Sequence, residues 1–262
     1  GGWLMEAYKK LQLARKSGRP TGLDFIQHIT TDFFEMHGDR RFGDDPAIVA
    51  GIGRLCGRPV TVIAQEKGHT MKERGFRNFG SANPEGYRKA LRQMKLAEKF
   101  GRPVLCFVDT AGAYCGMGAE ERGQGEAIAE NLCEMMTLQV PIISVFIGEG
   151  GSGGALGLAV ANEVWMLENA VYSVISPEGC ASILWKDSSK VREASDSLHM
   201  RPEDLFQLGI IERILPESDQ EALWQTLPIQ LDQKFTELLK MSGQELSEAR
   251  YQRFRKIGVY GE

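Results

Sequence analysis

Several features are scarce in this sequence, and each scarcity argues against a class of protein. Its 262 residues include five cysteines, none of them in a C-x-x-C pair, which speaks against a disulfide framework or a zinc site. No apolar run is long enough to span a bilayer, and residues 1–20 lack the apolar segment of a signal peptide. The formal net charge of −4 gives no global basic field of the kind that nucleic-acid binders use. We therefore expect a cytoplasmic protein with no membrane segment, no metal of its own and no direct nucleic-acid site.

The chain does contain enough apolar residues for a substantial folded core. Hydrophobic residues make up 42% of the sequence and charged residues 25%, a balance typical of globular domains. Apolar residues at helical spacing predict an amphipathic helix over residues 3–16 and a second helix over residues 22–37. The tail shows the same helical pattern. We interpret residues 1–20 as a helical arm, residues 21–220 as the main domain and residues 221–262 as a helical tail.

Strands alternate with helices in the main domain. The predicted strands, of which the first two form a hairpin, lie at residues 47–55, 59–65, 103–109, 141–147, 164–167 and 171–175. The predicted helices lie at residues 84–100, 120–138 and 155–162. The strands at 103–109 and 141–147 are continuous apolar runs, which indicates burial on both faces. This cycle of strand, loop and helix is typical of an α/β fold with parallel crossovers.

Two glycine-rich loops follow the buried strands, at the edge of the sheet where open α/β folds bind ligands. Residues 148–154 read GEGGSGG, and residues 109–114 read DTAGAY. Glycine lets the backbone approach a ligand closely, and the helix that follows the first of these loops offers free backbone N–H groups. An isolated glycine pair would indicate close packing alone. Five glycines in seven residues favour a loop that binds an oxyanion or a phosphate.

The loop at residues 148–154 also fits two common motifs. Residues 148–153 match G-x-G-x-x-G, with Glu168 near the position of a ribose-binding acid, but three strands already precede the strand at 141–147 that leads into this loop, and the next helix is short. Residues 150–154 match the nucleophile elbow G-x-S-x-G, for which only His199 follows as a base. His199 lies in a polar helical stretch, which is typical of a surface histidine. Both interpretations are disfavoured.

Charged residues outside these loops are weaker candidates. Glu120 and Glu121 lie in the first turn of a predicted helix, where the helix dipole alone accounts for acidic groups. A basic stretch could face the phosphates of a nucleotide-like substrate or form a solvated surface. Its members are Lys67, Lys72, Arg74, Arg77, Arg88, Lys89, Arg92 and Lys95.

Long segments of the chain resemble the alpha subunits of bacterial acetyl-CoA carboxylase carboxyltransferase. These segments are TDFFEMHGDRRFGDD, RNFG, NPEGYRKALRQMKLAEKFGRP, GAEERGQGEAIAENL, IGEGGSGGALGLAVAN and YSVISPEGCASILWKDSS, and they cover most of residues 20–216. The resemblance implies a crotonase (ClpP/crotonase-like) fold, a spiral of ββα units with peripheral N- and C-terminal helices. It also implies transfer of a carboxyl group from carboxybiotin to acetyl-CoA, which forms malonyl-CoA for fatty acid synthesis.

The same resemblance implies partners and site residues. The partners are a beta subunit in a heterotetramer of two alpha and two beta chains, the biotin carboxyl carrier protein, and biotin carboxylase in the larger complex. Zinc is expected in the beta subunit and not in this chain. Backbone N–H groups of Gly153, Gly154 and Ala155 are expected to form an oxyanion hole for the ureido oxygen of biotin, with Gly112 and Ala113 opposite. The predicted substrate-binding residues are Gly150, Gly151, Ser152, Arg77 and Arg88.

Two positions depart from the family pattern, in which the first loop reads DTPGAYPG. Ala111 and Cys115 stand at the two proline positions, which should increase the freedom of the unfolded loop without removing backbone donors. Two alternatives remain, namely a lone crotonase-fold acyl-CoA enzyme and a non-catalytic assembly subunit. The lone enzyme needs a side-chain acid after the glycines, and Gly157 stands where a hydratase would place a glutamate.

Overall fold

Eight strands form one mixed sheet in the computed structural model, which describes residues 6–258. The strands are β1 (Thr31–Glu35), β2 (Ile48–Leu55), β3 (Arg58–Gln65), β4 (Val104–Thr110), β5 (Ile142–Gly151), β6 (Glu163–Leu167), β7 (Val171–Ser173) and β8 (Arg213–Leu215). They lie in the order β1-β2-β3-β4-β5-β6-β8, and β7 pairs with the end of β5. Pairing is antiparallel from β1 to β3 and parallel from β3 onward. The predicted α/β fold with parallel crossovers is confirmed.

Helices surround this sheet. Those of the described residues are α1 (Ala7–Ala14), α2 (Gly22–Ile29), α3 (Met71–Phe76), α4 (Pro84–Phe100), α5 (Met117–Glu121), α6 (Gln124–Thr137), α7 (Ser152–Leu156), α8 (Pro177–Leu184), α9 (Val191–Ser197), α10 (Pro202–Gln207), α11 (Gln220–Leu238) and α12 (Gly243–Arg255). Helix α4 packs on β2 and β3 and against α6, while α2 packs on β3 and β4 and against α11. The main core therefore lies between the sheet and these helices.

The predicted hairpin of residues 47–55 and 59–65 is confirmed by β2 and β3. Their antiparallel register runs from Ile48 opposite Gln65 to Leu55 opposite Arg58, which leaves a two-residue turn. Both turn residues have positive φ, 48° at Cys56 and 84° at Gly57, as a tight hairpin turn between twisted strands requires. The hairpin brings Gln65 to the same edge of the sheet as the ends of β4 and β5.

The prediction of one helix over residues 22–37 is wrong, because α2 ends at Ile29 and residues 31–35 form strand β1. Thr30 is extended, and both its N–H and its hydroxyl donate to the Ile26 carbonyl, which closes the helix. In β1, Phe33 packs against the core and Phe34 is 69% exposed. This alternation suits an edge strand that pairs with β2. The phenylalanines that suggest a helical stripe therefore belong to a strand.

Two other predicted helices differ in extent. The helix predicted over residues 120–138 is divided into α5 and α6, because Gly123 has a φ of 79° and breaks the helical path. The helix predicted over 155–162 is the short α7, which begins earlier, at Ser152, and ends at Leu156. The N-terminal helix appears as α1, and Leu4 of its predicted apolar face lies outside the described residues.

The helical tail is tied to the sheet by one buried arginine. Arg250 of α12 is 0% exposed, and its guanidinium donates to the carbonyls of Met135, Leu138 and Val140 and to Asn162 Oδ1 at 2.7–2.9 Å. These carbonyls belong to the end of α6 and the connection to β5. Burial lowers the pKa of Arg250 to about 10, so the side chain stays cationic at neutral pH. The tail therefore holds the start of the strand that leads into the loop at residues 148–154.

Candidate functional site

The two glycine-rich loops lie in direct backbone contact at the ends of β4 and β5. A Cβ atom at Gly151 would lie 2.0 Å from the Ala111 carbonyl oxygen, and one at Gly154 would lie 2.4 Å from the Ala113 nitrogen. Neither position has room for a side chain. The structure thus brings the predicted residues Gly112 and Ala113 against Gly151 and Gly154. The glycines serve close packing here, and this packing places the backbone of one loop beside the first turn of α7.

The first turn of α7 provides the backbone donors. Gly151 is the N-cap, so the N–H groups of Ser152, Gly153 and Gly154 have no partner within the helix, whereas the N–H of Ala155 can bond back to the Gly151 carbonyl. The geometry therefore favours Gly153 and Gly154 over Ala155 as donors to an anion. Ser152 has a φ of 52°, a left-handed conformation that a sharp turn from strand to helix imposes.

Two buried side chains hold the carbonyl of Gly154. Gln65 Nε2 donates to this oxygen at 2.8 Å, and the Tyr87 hydroxyl donates to it at 2.9 Å. Burial, and secondly the charge of Asp45, raise the pKa of Tyr87 well above its ordinary value, so the hydroxyl keeps its proton. The sequence does not point to either residue, because a glutamine at a strand end and a tyrosine on an amphipathic helix have no distinguishing spacing.

The loop that follows β4 is anchored at both ends. Thr110 Oγ1 accepts from the Gly112 N–H at 3.1 Å, and the Tyr114 N–H donates to the Ala82 carbonyl at 3.0 Å. Gln124 Nε2 donates to the Tyr114 carbonyl at 2.8 Å. Within residues 6–258, the Ala113 N–H between these anchors has no hydrogen-bond partner. A fixed loop thus presents a free donor beside Gly154.

Carboxylates next to the loops are neutralised within the chain. Asp109, at the end of β4, accepts from the Glu149 N–H at 2.9 Å and pairs with Lys67 at 2.5 Å. Arg15, just after α1, binds Glu149 in a bidentate ion pair at 2.7 and 2.8 Å. The hydrogen bond to Glu149 is the largest cause that raises the pKa of Arg15. These carboxylates are structural partners in the described chain, and neither is placed as a free base.

The two arginines predicted to bind substrate make bonds within the chain. Arg77 Nη1 donates to the Pro46 carbonyl at 2.7 Å. Arg88 pairs with Asp39 at 2.8 Å, and the Arg88 side chain is only 10% exposed. Burial disfavours the Asp39 carboxylate, but the N–H groups of Arg41, Phe42 and Gly43 together with Arg88 outweigh it and hold the pKa of Asp39 at about 2. Three members of the basic stretch on α4, namely Arg88, Lys89 and Arg92, thus bind the acidic loop at residues 37–45. The fourth, Lys95, pairs with Glu134.

A mainly apolar cavity of about 480 Å³ opens beside α7. Its lining includes Ser152 and Gly153 of α7 and Phe254 of α12. His199 also lines it, but no hydrogen bond joins His199 to Ser152 in the described part of the chain. The geometry therefore gives no support to the nucleophile elbow. Residues 6–258 contain no cluster of three or more metal-ligating side chains, and no helix among them is long and apolar enough to cross a membrane.

The fold is the crotonase fold, as solved structures show. The chain superposes on transcarboxylase 12S with a TM-score of 0.66 and 17% identity, covering 95% of this chain and 44% of that one. It superposes on a chain of the Pseudomonas malonate decarboxylase hetero-tetramer, in complex with coenzyme A, with a TM-score of 0.68 and 18% identity over 88% and 92% of the two chains. The predicted crotonase fold is confirmed.

The chain belongs to the acetyl co-enzyme A carboxylase carboxyltransferase-like family, whose model matches residues 4–258. It is 60% identical to the acetyl-coenzyme A carboxylase carboxyl transferase subunit alpha of Ruminiclostridium cellulolyticum, over 97% of this chain and 99% of the relative. It is also 54% identical to the acetyl-coenzyme A carboxylase carboxyl transferase subunits beta/alpha of Clostridium tetani. The chain spans 46% of the length of that relative. The family predicted from the sequence segments is confirmed.

Proposed function

We propose that this chain forms the alpha half of a carboxyltransferase that moves a carboxyl group from carboxybiotin to acetyl-CoA and so forms malonyl-CoA. Family membership supports the reaction class, since the relatives at 54–60% identity are named as subunits of this enzyme. The observation that carries the proposal is the contact between the two loops. It sets the free N–H of Ala113 beside Gly154, whose N–H, like that of Gly153, has no partner within α7.

These donors suit an oxygen that gains negative charge during the reaction. Carboxybiotin supplies the carboxyl group, and its ureido oxygen becomes more negative as that group leaves. Backbone N–H groups that are already fixed in place stabilise such a charge without reorganising, and one such donor typically contributes ~100-fold or more in rate. The mainly apolar cavity beside Ser152 and Gly153 suits the apolar tetrahydrothiophene ring of biotin. Gly150 and Gly151 end the strand that positions these donors.

A beta subunit, a biotin carboxyl carrier protein and biotin carboxylase complete the proposal. Relatives in which beta and alpha subunits form one chain support the first of these partners. We propose an assembly of two alpha and two beta chains, with acetyl-CoA held mainly by the beta chain and zinc in that chain. Arg77 and Arg88 remain proposed contacts to substrate, and their side chains already make the bonds to Pro46 and Asp39 described above.

The lone acyl-CoA enzyme is disfavoured by the surroundings of Gly157. This chain has no acidic side chain at the hydratase position, and a Cβ atom there would lie 3.0 Å from the ring of the buried Tyr87, which is a tight contact. A purely structural subunit is disfavoured by the free donors of the two loops.

The reverse reaction tests the proposal. Malonyl-CoA and free biotin are mixed with this chain alone, with the beta chain alone, and with both, and acetyl-CoA is measured. Activity only in the mixture is the expected result. No activity in a stable mixed complex would favour a non-catalytic subunit, and turnover by this chain alone would favour the lone enzyme.

A further inference from the structure

The side-chain amide of Gln65 joins the two loops. Gln65 is the last residue of β3 and is 0% exposed. Its Oε1 accepts from the Asp109 N–H at 3.0 Å, and its Nε2 donates to the Gly154 carbonyl at 2.8 Å. Asp109 lies in β4, next to β3, whereas Gly154 follows β5, which is one strand farther. One amide therefore bridges from β3 past the end of β4 to the helix after β5.

The bond to Asp109 continues the sheet where backbone pairing ends. The parallel register of β3 and β4 stops at Ala64 opposite Phe107, and the register of β4 and β5 shifts between Val108 and Thr110. At this point the Asp109 N–H donates to the side-chain oxygen of Gln65 and not to a backbone carbonyl. Asp109 in turn accepts from the Glu149 N–H, so the starts of both loops are connected to Gln65. An apolar side chain at position 65 would leave the Asp109 N–H buried without this acceptor.

The bond to Gly154 fixes the orientation of the donor turn. At the end of α7, the Leu158 N–H donates to the Ala155 carbonyl and not to the Gly154 carbonyl. The Gly154 carbonyl accepts from Gln65 and Tyr87 instead. A Cβ atom on Gly154 would lie 2.4 Å from the Ala113 nitrogen, so the Gly154 α-carbon lies against Ala113. The held carbonyl fixes the peptide group that joins Gly154 to Ala155, and with it the position of the Gly154 α-carbon. The Gly154 N–H is bonded to this α-carbon, so its distance from Ala113 is fixed as well.

We infer that Gln65 is a positioning residue, whose amide sets the separation between the Ala113 N–H and the N–H groups of Gly153 and Gly154. This inference rests on the proposed function, because the separation matters only if these groups bind a developing negative charge together. A residue that only stabilises the fold would, when replaced, lower stability and leave the turnover of the folded enzyme unchanged. A positioning residue lowers kcat and leaves KM nearly constant.

The first test is Gln65→Met, which keeps the volume and removes both hydrogen bonds. The variant is assembled with the beta chain and assayed in the reverse reaction, after thermal unfolding and size exclusion have confirmed fold and complex. We expect kcat to fall by ~10- to 100-fold and the KM values for malonyl-CoA and biotin to change by less than ~3-fold, as for a displacement of catalytic donors by up to about 1 Å. A folded variant with the kcat of the unaltered enzyme would overturn the inference.

Asn131→Leu is the matched control. Asn131 is also 0% exposed, and its amide donates to the Gly157 carbonyl at 3.1 Å, three residues beyond Gly154 and away from the free donors. We expect it to lower stability and to leave kcat within about two-fold. An equal loss of kcat in both variants would mean that general loosening of this region, and not the bridge, controls turnover.

Gln65→Glu provides an independent test that does not require Gln65→Met to fold. A protonated glutamic acid can still accept from Asp109 and donate to Gly154, whereas the carboxylate loses the donor. Burial beside the Asp109 charge raises the pKa of this acid, so kcat should fall as pH rises through that pKa, a step that the unaltered enzyme lacks. A pH profile parallel to that of the unaltered enzyme would refute the inference. An inactive unaltered mixture would instead refute the proposed function.

Discussion

Gly154→Ala isolates the contact between the two loops, because alanine keeps the backbone N–H and adds only a methyl group. That methyl group would lie 2.4 Å from the Ala113 nitrogen and 2.7 Å from the Gly112 carbonyl carbon. Ordinary contact begins at 3.4 Å, so the loops must separate by about 1 Å. Neither backbone can yield freely, since Gln65 and Tyr87 hold one side and Gln124 holds the other.

A misplacement of this size costs ~100-fold in rate when it separates groups that act together on one charge. We expect Gly154→Ala to lose about that factor in kcat of the reverse reaction, and Gly154→Asp to abolish turnover, with the complex with the beta chain retained in both. Gly125→Ala on α6 is the control, because its Cβ atom would meet nothing within 4 Å. If Gly154→Ala turned over as fast as Gly125→Ala, the loop contact would have no part in catalysis.

Three further predictions concern stability and its dependence on pH. Arg250→Met should lower the free energy of unfolding by about 3 kcal/mol or more, because the buried carbonyl oxygens of Leu138 and Val140 lose a cationic donor. Unfolding in urea measures this free energy, and an unchanged urea midpoint would contradict the prediction. The pKa of Asp39 is about 2, below its ordinary 3.8, so its carboxylate stabilises the fold above about pH 4 and this contribution is lost as pH falls towards 2. Asp39→Asn should therefore be less stable at pH 7 and lose less stability on acidification over this range. If its free energy of unfolding fell as steeply between about pH 4 and pH 2 as that of the unaltered protein, the prediction would be wrong. Gly123→Ala should cost ~1–2 kcal/mol because φ at this position is 79°, and a thermal midpoint equal to that of Gly125→Ala would show that the helix break tolerates a side chain.

Much of the fold could be predicted because the strands at its centre carry one-dimensional signals. Continuous apolar runs mark β4 and β5, which are buried along their whole length. Residues 31–35 could not be assigned in this way, since Phe33 and Phe34 fit a helical stripe as well as an edge strand. The pairing with β2 and the closure of α2 at Thr30 decide between the two, and both depend on tertiary contacts.

The two loops could be predicted to face each other, whereas the side chains that support them could not. The resemblance places Gly112 and Ala113 opposite the second loop, and the structure shows backbone contact between the loops at Gly151 and Gly154. The charges of Arg88, Lys89 and Arg92 suggested a phosphate-binding face, but their partners lie some fifty residues earlier in the loop at 37–45. A single glutamine such as Gln65 has no pattern at all, because its two partners come together only in the folded sheet.

The anchor at Arg250 has a consequence for the order in which the molecule is made. The guanidinium satisfies carbonyls that precede β5, yet Arg250 lies 110 residues after Val140 in the sequence. Synthesis proceeds from the amino end, so β1 to β5 leave the ribosome before this side chain can reach them. We expect nascent chains to acquire these strands early and to lock the start of β5 only after α12 has been made. The loop that follows β5 would then mature after the strands, which delays a competent site until α12 has docked.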